Sequence, residues 1–302
     1  MNKIIDGKSI AEKVKNTIKN ETNEMYIKYG KKPHLAVIIV GDDQASKVYV
    51  RSKEKACKEM GFDSSVYRFD SAKEEDILSL IDKLNVDESI SGILVQLPLP
   101  KHINEKKVIN RISVLKDVDG FNILNVGKLS VNEKGLVPCT PLGIMEMMKE
   151  IGIDVTGLDC TIIGRSNIVG KPMARLLENS NATVTICHSK TKDLIKHTKD
   201  ADLIVVAIGK PKFIKKEMVK DGSIIIDVGI NRVDGKIVGD VDFDDVYDKV
   251  KYITPVPGGV GPMTIAMLMK NTLECFKAEV EKWLNVTKMK KWREFGMKKL
   301  NF

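Results

Sequence analysis

The sequence predicts an α/β fold arranged as two α/β domains, and three observations predict it. Short apolar, β-branched runs alternate with helix-length stretches along most of the chain, the pattern of parallel strands with helices on their faces. A glycine-punctuated turn, Gly164-Arg165-Ser166-Asn167-Ile168-Val169-Gly170-Lys171-Pro172, joins one such run to a helical pattern. The chain has 302 residues, enough for a core in each of two domains. The turn predicts that the second domain is a Rossmann-like doubly wound parallel sheet, because such sheets present backbone N–H groups and a helix N-terminus to a phosphate there.

The elements follow in order. Residues 35–40 are an apolar strand-like run ended by Gly41-Asp42-Asp43, and 45–60 reads as a helix stopped by Gly61. A strand at 64–69, an amphipathic helix at 73–85 and a buried strand at 92–96 come next. Pro98, Pro100, Pro138 and Pro141 then bracket a less regular region. Strands resume at 161–164, 183–187, 203–209, 224–229 and 252–253, with a helix from about Met173 after the turn. The last helical pattern, about 264–284, is long enough to leave the second domain and pack back on the first. The expected division is therefore 1–138 plus 273–302 for the first domain and 139–272 for the second.

Composition excludes several classes. The final fifteen residues, 288–302, supply +5 of the +8 net charge, and no nucleic-acid module signature accompanies them. That tail could dock through Trp292, Phe295 and Phe302 or could fray. The mildly basic remainder suits anionic small molecules. No stretch approaches the roughly 20 apolar residues of a membrane span, and MNKIIDGKSI does not read as a signal peptide. Cys57, Cys139, Cys160, Cys187 and Cys275 are scattered without C-x-x-C spacing, which reads as reduced, mostly buried thiols of a cytoplasmic protein. His34, His102, His188 and His197 show no metal-ligand spacing, so neither a metal nor a nucleophilic serine is expected.

The turn departs from G-x-G-x-x-G: Ser166 stands at the middle glycine and Gly170 closes one residue late. After the next strand, a site for NAD usually places Asp or Glu to accept from the ribose hydroxyl. This chain has His188-Ser189-Lys190-Thr191 instead. With Arg165 in the turn, hydroxyl and cationic donors suit a ribose 2′-phosphate, which a carboxylate would repel. Taken singly, Arg165 and Lys190 would be ordinary solvated charges; their two positions together favour NADP over NAD.

Other residues could carry chemistry. Tyr49 and Lys53, four apart in the 45–60 helix, share a face, a phenol beside an amine. Taken alone, Lys53 reads first as part of the charged exposed face with Arg51, Glu54 and Lys55. Gln96 ends a buried strand, where open α/β sheets bind ligands, or it solvates the strand end. Asp117-Val118-Asp119-Gly120 could bind a metal or substrate, or make an Asp-Gly turn. Pro255-Val256-Pro257-Gly258-Gly259-Val260-Gly261-Pro262 would let a flat ligand approach the backbone, or simply connects strand to helix.

Together these residues resemble a known family. Tyr49-Val50-Arg51-Ser52-Lys53, Val95-Gln96-Leu97-Pro98-Leu99-Pro100, Lys116-Asp117-Val118-Asp119-Gly120-Phe121, Pro138-Cys139-Thr140-Pro141, the 164–172 turn and the 255–262 loop are similar to the bifunctional methylenetetrahydrofolate dehydrogenase/methenyltetrahydrofolate cyclohydrolases. The resemblance runs from about Asp6 to Leu284, and the basic tail extends past it. It implies two domains flanking a cleft, with folate against the first and NADP against the second. It implies oxidation of 5,10-methylenetetrahydrofolate to the methenyl cation, then hydrolysis to 10-formyltetrahydrofolate. In this reading Lys53 is the key residue of hydrolysis, Gln96 bonds and orients it, and Tyr49 shapes the folate face. Asp119 binds the pterin, and Pro257, Gly258 and Gly259 approach the folate. Gly164, Arg165, Ser166, Ser189 and Ile230 hold NADP. The resemblance also implies a homodimer through the nucleotide domains.

Overall fold

The computed structural model describes residues 3–299, with side chains described for all of these except Ala45 and residues 286–299. Docking of Trp292, Phe295 and Phe302 therefore lies outside the described residues. In chain order the first elements are α1 (Gly7–Tyr29), β1 (His34–Val40), α2 (Gln44–Met60), β2 (Asp63–Phe69), α3 (Glu74–Val86), β3 (Gly92–Val95) and α4 (Glu105–Arg111). Next come α5 (Ile123–Ser130), α6 (Cys139–Glu150), β4 (Asp159–Ile163), α7 (Gly170–Asn179), β5 (Thr183–Cys187), α8 (Leu194–Thr198) and β6 (Leu203–Val206). The chain continues through β7 (Ile224–Asp227), β8 (Asn231–Val233), β9 (Lys236–Val238), α9 (Phe243–Val246), β10 (Tyr252–Ile253) and α10 (Val260–Lys299). The α/β class is as the alternation predicts.

The chain forms two compact units, Ile18–Val118 with Lys270–Phe302, and Met1–Thr17 with Asp119–Met269. The expected boundary at 138/139 lies inside the second of these. Residues 119–138 belong there because α5 packs on α7, with Asn179 Nδ2 donating to Leu129 O at 2.9 Å.

In the first unit a parallel sheet runs β2-β1-β3. Its central strand is apolar almost throughout, as burial on both faces requires. Ala36, Ile38 and Val40 of β1 form one cluster with Ile93 and Val95 of β3, Ile77, Ile81 and Leu84 of α3, and Val108 of α4. The ends of α2 are set locally. Asp43 accepts from Ser46 N at 2.7 Å as its N-cap. Gly61 closes it at φ 77°, a left-handed conformation that glycine adopts without cost.

In the second unit five parallel strands run β10-β7-β6-β4-β5, and Ile4 extends the β10 edge by pairing with Ile253. From β4 the chain goes to β5 on one side, then returns to β6 on the other. That reversal is the topological switch point at which such sheets bind ligands, beyond the carboxyl ends of the strands.

Three helices start where the sequence reading put irregular chain. α7 begins at Gly170 rather than Met173, α10 at Val260 rather than residue 264, and α6 runs through the Pro138–Pro141 region. Each carries a proline in its first turn (Pro172, Pro262 and Pro141), where the missing N–H has no helical partner to lose. The sequence analysis names no helix at α1, although its buried or half-buried positions Ile10, Val14, Ile18, Thr22 and Met25 recur at helical spacing.

Candidate active site

Lys53 stands half-buried in the third turn of α2. Its Nζ donates to Gln96 Oε1 at 2.9 Å. Gln96 is the residue after β3, where its backbone N–H still donates to Ile38 O at 2.8 Å, so the sheet fixes its position. Its Nε2 donates to Leu97 O at 2.7 Å. That second bond determines which way the amide faces and turns the acceptor oxygen to the lysine. The bond to Gln96 orients the amine. Tyr49, one turn earlier on the same face of α2, is 42% exposed.

The segment after α4 is anchored from below. Ile93 N donates to Lys116 O at 2.8 Å, and Asp117 is buried in a bridge beside β3. The buried Lys116 donates to Leu84 O at 3.1 Å and Asp87 O at 2.7 Å, at the C-terminal end of α3. Burial pulls the Lys116 ammonium pKa down, opposed by Glu279 nearby. Asn271 Nδ2 of α10 donates to Val118 O at 2.8 Å. Asp119 follows, half-buried, with the Cys139 thiol 3.9 Å from its Oδ1. Gly120 sits at φ 69°, and a Cβ there would come within 2.7 Å of the Val137 backbone, so the Asp-Gly turn is required as well as polar.

In the second unit the glycine turn is tightly built. Gly164 N donates to Cys187 O at 2.9 Å, and a Cβ on Gly164 would lie 2.4 Å from Ala207 O. A Cβ on Gly170 would lie 2.2 Å from Gly164 O. Gly170 is thus the glycine of close helix–strand packing, displaced by one residue from the usual fingerprint. Ser166 fills the middle position with a hydroxyl that accepts from Val169 N at 3.1 Å and Gly170 N at 3.3 Å, tying the turn to the first residue of α7. Its own O–H proton can still be donated. Arg165, Ser166, Asn167 and Ile168 are all exposed.

Because Ile163 pairs with Cys187, the residues after β4 and after β5 share one edge of the sheet. His188–Thr191 is folded by its own bonds. His188 N donates to Thr191 Oγ1 at 2.8 Å, and Lys190 N donates to His188 Nδ1 at 3.1 Å. Ser189 and Lys190 are exposed beyond this turn. The donors at this edge fit an anionic dinucleotide carrying an extra phosphate: glycine backbone at close quarters, a helix N-terminus, hydroxyls and cations, with no carboxylate after β5.

The 255–262 loop divides into two parts. Gly259 has a structural cause: a Cβ there would lie 2.5 Å from Pro255 O, and one on Gly7 would lie 1.9 Å from Gly259 O. Lys8 N donates to Gly258 O at 2.9 Å, tying the loop to the start of α1. Gly258 itself, at φ 104°, meets nothing closer than 4.0 Å, and Pro257 is exposed. Ile230, after β7, is 52% exposed.

Two residues that the sequence reading did not single out are Asp227 and Asp240, both buried. Burial raises the Asp227 pKa to about 6, against the pull of three backbone N–H groups that bond to it. The signal was present as the paired strings Asp227-Val228-Gly229 and Gly239-Asp240-Val241. All five cysteines are buried, and burial pushes the Cys57 and Cys160 thiols up to about 12, which leaves them inert. Among the described residues no helix is long and apolar enough to cross a membrane.

The fold and the glycine turn define a dinucleotide-dependent enzyme of the doubly wound α/β class. The sequence profile of the tetrahydrofolate dehydrogenase/cyclohydrolase catalytic domain matches residues 5–119, and that of the NAD(P)-binding domain of the same family matches 138–280. The chain belongs to the tetrahydrofolate dehydrogenase/cyclohydrolase family. It is 58% identical to the bifunctional protein FolD of Campylobacter concisus over 282 residues, covering 93% of this chain and 99% of that one. The crystal structure of the bifunctional enzyme FolD, a methylenetetrahydrofolate dehydrogenase/cyclohydrolase from Campylobacter jejuni, superposes with TM-score 0.90 at 52% identity, covering 91% and 98% of the two chains. The methylenetetrahydrofolate dehydrogenase-cyclohydrolase of Trypanosoma brucei, solved with NADP and an inhibitor, gives TM-score 0.88 at 37% identity over 92% and 98%.

Proposed function

We propose that this protein oxidises 5,10-methylenetetrahydrofolate to 5,10-methenyltetrahydrofolate with NADP and hydrolyses the product to 10-formyltetrahydrofolate. The observation that carries the hydrolytic half is the Lys53 Nζ–Gln96 Oε1 bond of 2.9 Å, an oriented amine at the end of a parallel strand. Lys53 moves protons as water adds to the methenyl carbon and the ring opens. A cationic substrate beside it disfavours the ammonium form and so favours a proton-accepting amine. Gln96 holds that amine, and Tyr49 shapes the folate face. Asp119 accepts from the pterin amino and ring N–H groups, and Pro257, Gly258 and Gly259 border the substrate. The functional division assigns folate to 1–138 plus 273–302 and the cofactor to 139–272.

NADP accepts the hydride when bound, so for that step the protein binds and positions. Gly164 allows the backbone to come close, and Arg165, Ser166 and Ser189 hold phosphate oxygens. Ile230 supplies an apolar contact. The exposed donors after β4 and β5 support NADP over NAD. Arg165→Ala is expected to raise the NADP Kd by about tenfold or more, the range for losing a charge-assisted hydrogen bond, and to change the NAD Kd much less. Titration of both nucleotides against the variant checks this; equal losses for the two would remove Arg165 from the 2′-phosphate.

The substrate in cells would be a tetrahydrofolate, its polyglutamate tail suited to the basic surface, in the cytoplasm. A homodimer through the nucleotide unit is supported by exposed Ile186 on edge strand β5 and by Val233 and Ile237 on the β8–β9 hairpin. One coupled assay tests the whole reading. Methylenetetrahydrofolate with NADP should yield NADPH while methenyltetrahydrofolate stays well below stoichiometric. Methenyl product equal to NADPH throughout would leave only the dehydrogenase.

A further inference from the structure

The turn at the end of β4 touches the loop after β6: a Cβ on Gly164 would strike Ala207 O at 2.4 Å. Since β4 and β6 flank the switch point, the loop after β6 is the opposite wall of the nucleotide crevice. Nothing in the local sequence of that loop fixes it; a carboxylate thirty residues downstream does. Asp240 Oδ2 accepts from Ile208 N at 2.7 Å and Gly209 N at 2.9 Å, while Oδ1 accepts from Lys210 N at 2.8 Å. The same Oδ1 accepts from Asn231 Nδ2 at 2.9 Å, in the strand that follows Ile230. Asp240 is 0% exposed, so a buried carboxylate accepts all four bonds.

Asp227 holds Asp240 in turn. Its Oδ1 accepts from Asp240 N and from Gly229 N at 2.9 Å each, and its Oδ2 accepts from Val241 N at 2.9 Å. The glycines between the carboxylates are dictated by them. A Cβ on Gly229 would lie 2.3 Å from the Asp240 carboxyl carbon, and one on Gly239 would lie 1.8 Å from Asp227 Oδ2. Two buried carboxyl groups thus brace one loop through six backbone N–H groups and one side-chain amide.

We infer that Asp240, seated by Asp227, is a positioning residue for the dinucleotide: it locks the loop after β6 and the Gly229–Asn231 segment into the wall against which the cofactor binds. The inference rests on the NADP reading above. It predicts that the clamp acts on cofactor binding and not on the Lys53 chemistry, which is assayed without nucleotide by hydrolysis of methenyltetrahydrofolate.

The test is Asp240→Asn. An amide can accept with only one of its two positions, so it turns an NH2 toward either Ile208 and Gly209 or Lys210 and Asn231. Calorimetric titration with NADP is expected to show a Kd weaker by about tenfold or more, with nucleotide-free hydrolysis within about twofold of wild type. The rise in melting temperature that saturating NADP produces should shrink accordingly. A Kd within twofold of wild type overturns the inference, and so does a loss of hydrolysis in the same proportion as NADP affinity. If Asp240→Asn does not fold, Asn231→Ala decides, since it removes one donor and leaves the carboxylate in place. A Kd about threefold weaker or more supports the clamp, and an unchanged Kd overturns it. Wild-type protein that fails to bind NADP at all would instead sink the cofactor reading on which the inference stands.

Discussion

Lys53→Met is expected to lower hydrolysis of methenyltetrahydrofolate by about 10²–10⁴-fold, the contribution a positioned acid–base group supplies. Methionine keeps the unbranched length of the lysine stem and removes only the amine, so α2 and its cap at Asp43 should be unaffected. Gln96 Oε1 loses its partner but remains half-buried and can turn to water. The oxidation should persist within about tenfold, because there the protein contributes positioning and the hydride chemistry belongs to the cofactor. The decisive readout is stoichiometry: the variant should accumulate methenyltetrahydrofolate in step with NADPH, where the wild type does not. Hydrolysis at the wild-type rate would remove Lys53 from the mechanism, whatever its contact with Gln96.

Gly170→Ala should produce the largest structural effect. The added methyl would lie 2.2 Å from Gly164 O, 2.7 Å from Gly164 C and 3.0 Å from Arg165 Cα. Unstrained nonbonded carbon atoms stay roughly 3.5–4.0 Å apart, and none of these neighbours is the movable tip of a side chain. The strand-to-helix turn must open, at a cost near the upper end of the roughly 1–3 kcal/mol typical of overpacking. At about 2–4 °C per kcal/mol for a chain approaching this size, the melting temperature should fall by several degrees. Opening the turn also moves the start of α7 away from Arg165 and Ser166, so NADP affinity should fall by about tenfold or more. Calorimetry and nucleotide titration measure the two effects on one sample. A melting point and a Kd both matching wild type would mean that the turn relaxes without cost, contrary to its backbone contacts.

Much of the fold was legible because it is encoded locally. Strands β1, β3, β4, β6 and β7 are apolar runs buried on both faces, and such runs are read directly from period and composition. Helix starts were read less well. Pro172, Pro262 and Pro141 look like breakers in a string of letters but sit in first turns, where proline costs nothing. The glycines were ambiguous in the same way. Gly259 invited a ligand on sequence grounds, yet a Cβ there would lie 2.5 Å from Pro255 O, a contact that only the folded loop creates.

The sequence by itself determined the α/β class, the glycine turn between β4 and α7, the absence of a carboxylate at 188–191, and the family, since each depends on the order and spacing of neighbouring residues. Only the tertiary structure decided which distant groups meet. It sets Lys53 against an amide 43 residues away and turns that amide with Leu97 O. It also places Asp240 under a loop that precedes it by thirty residues. Such contacts follow from strand order and from where buried polar groups find partners. That balance is settled over the whole chain, and no local window of sequence contains it.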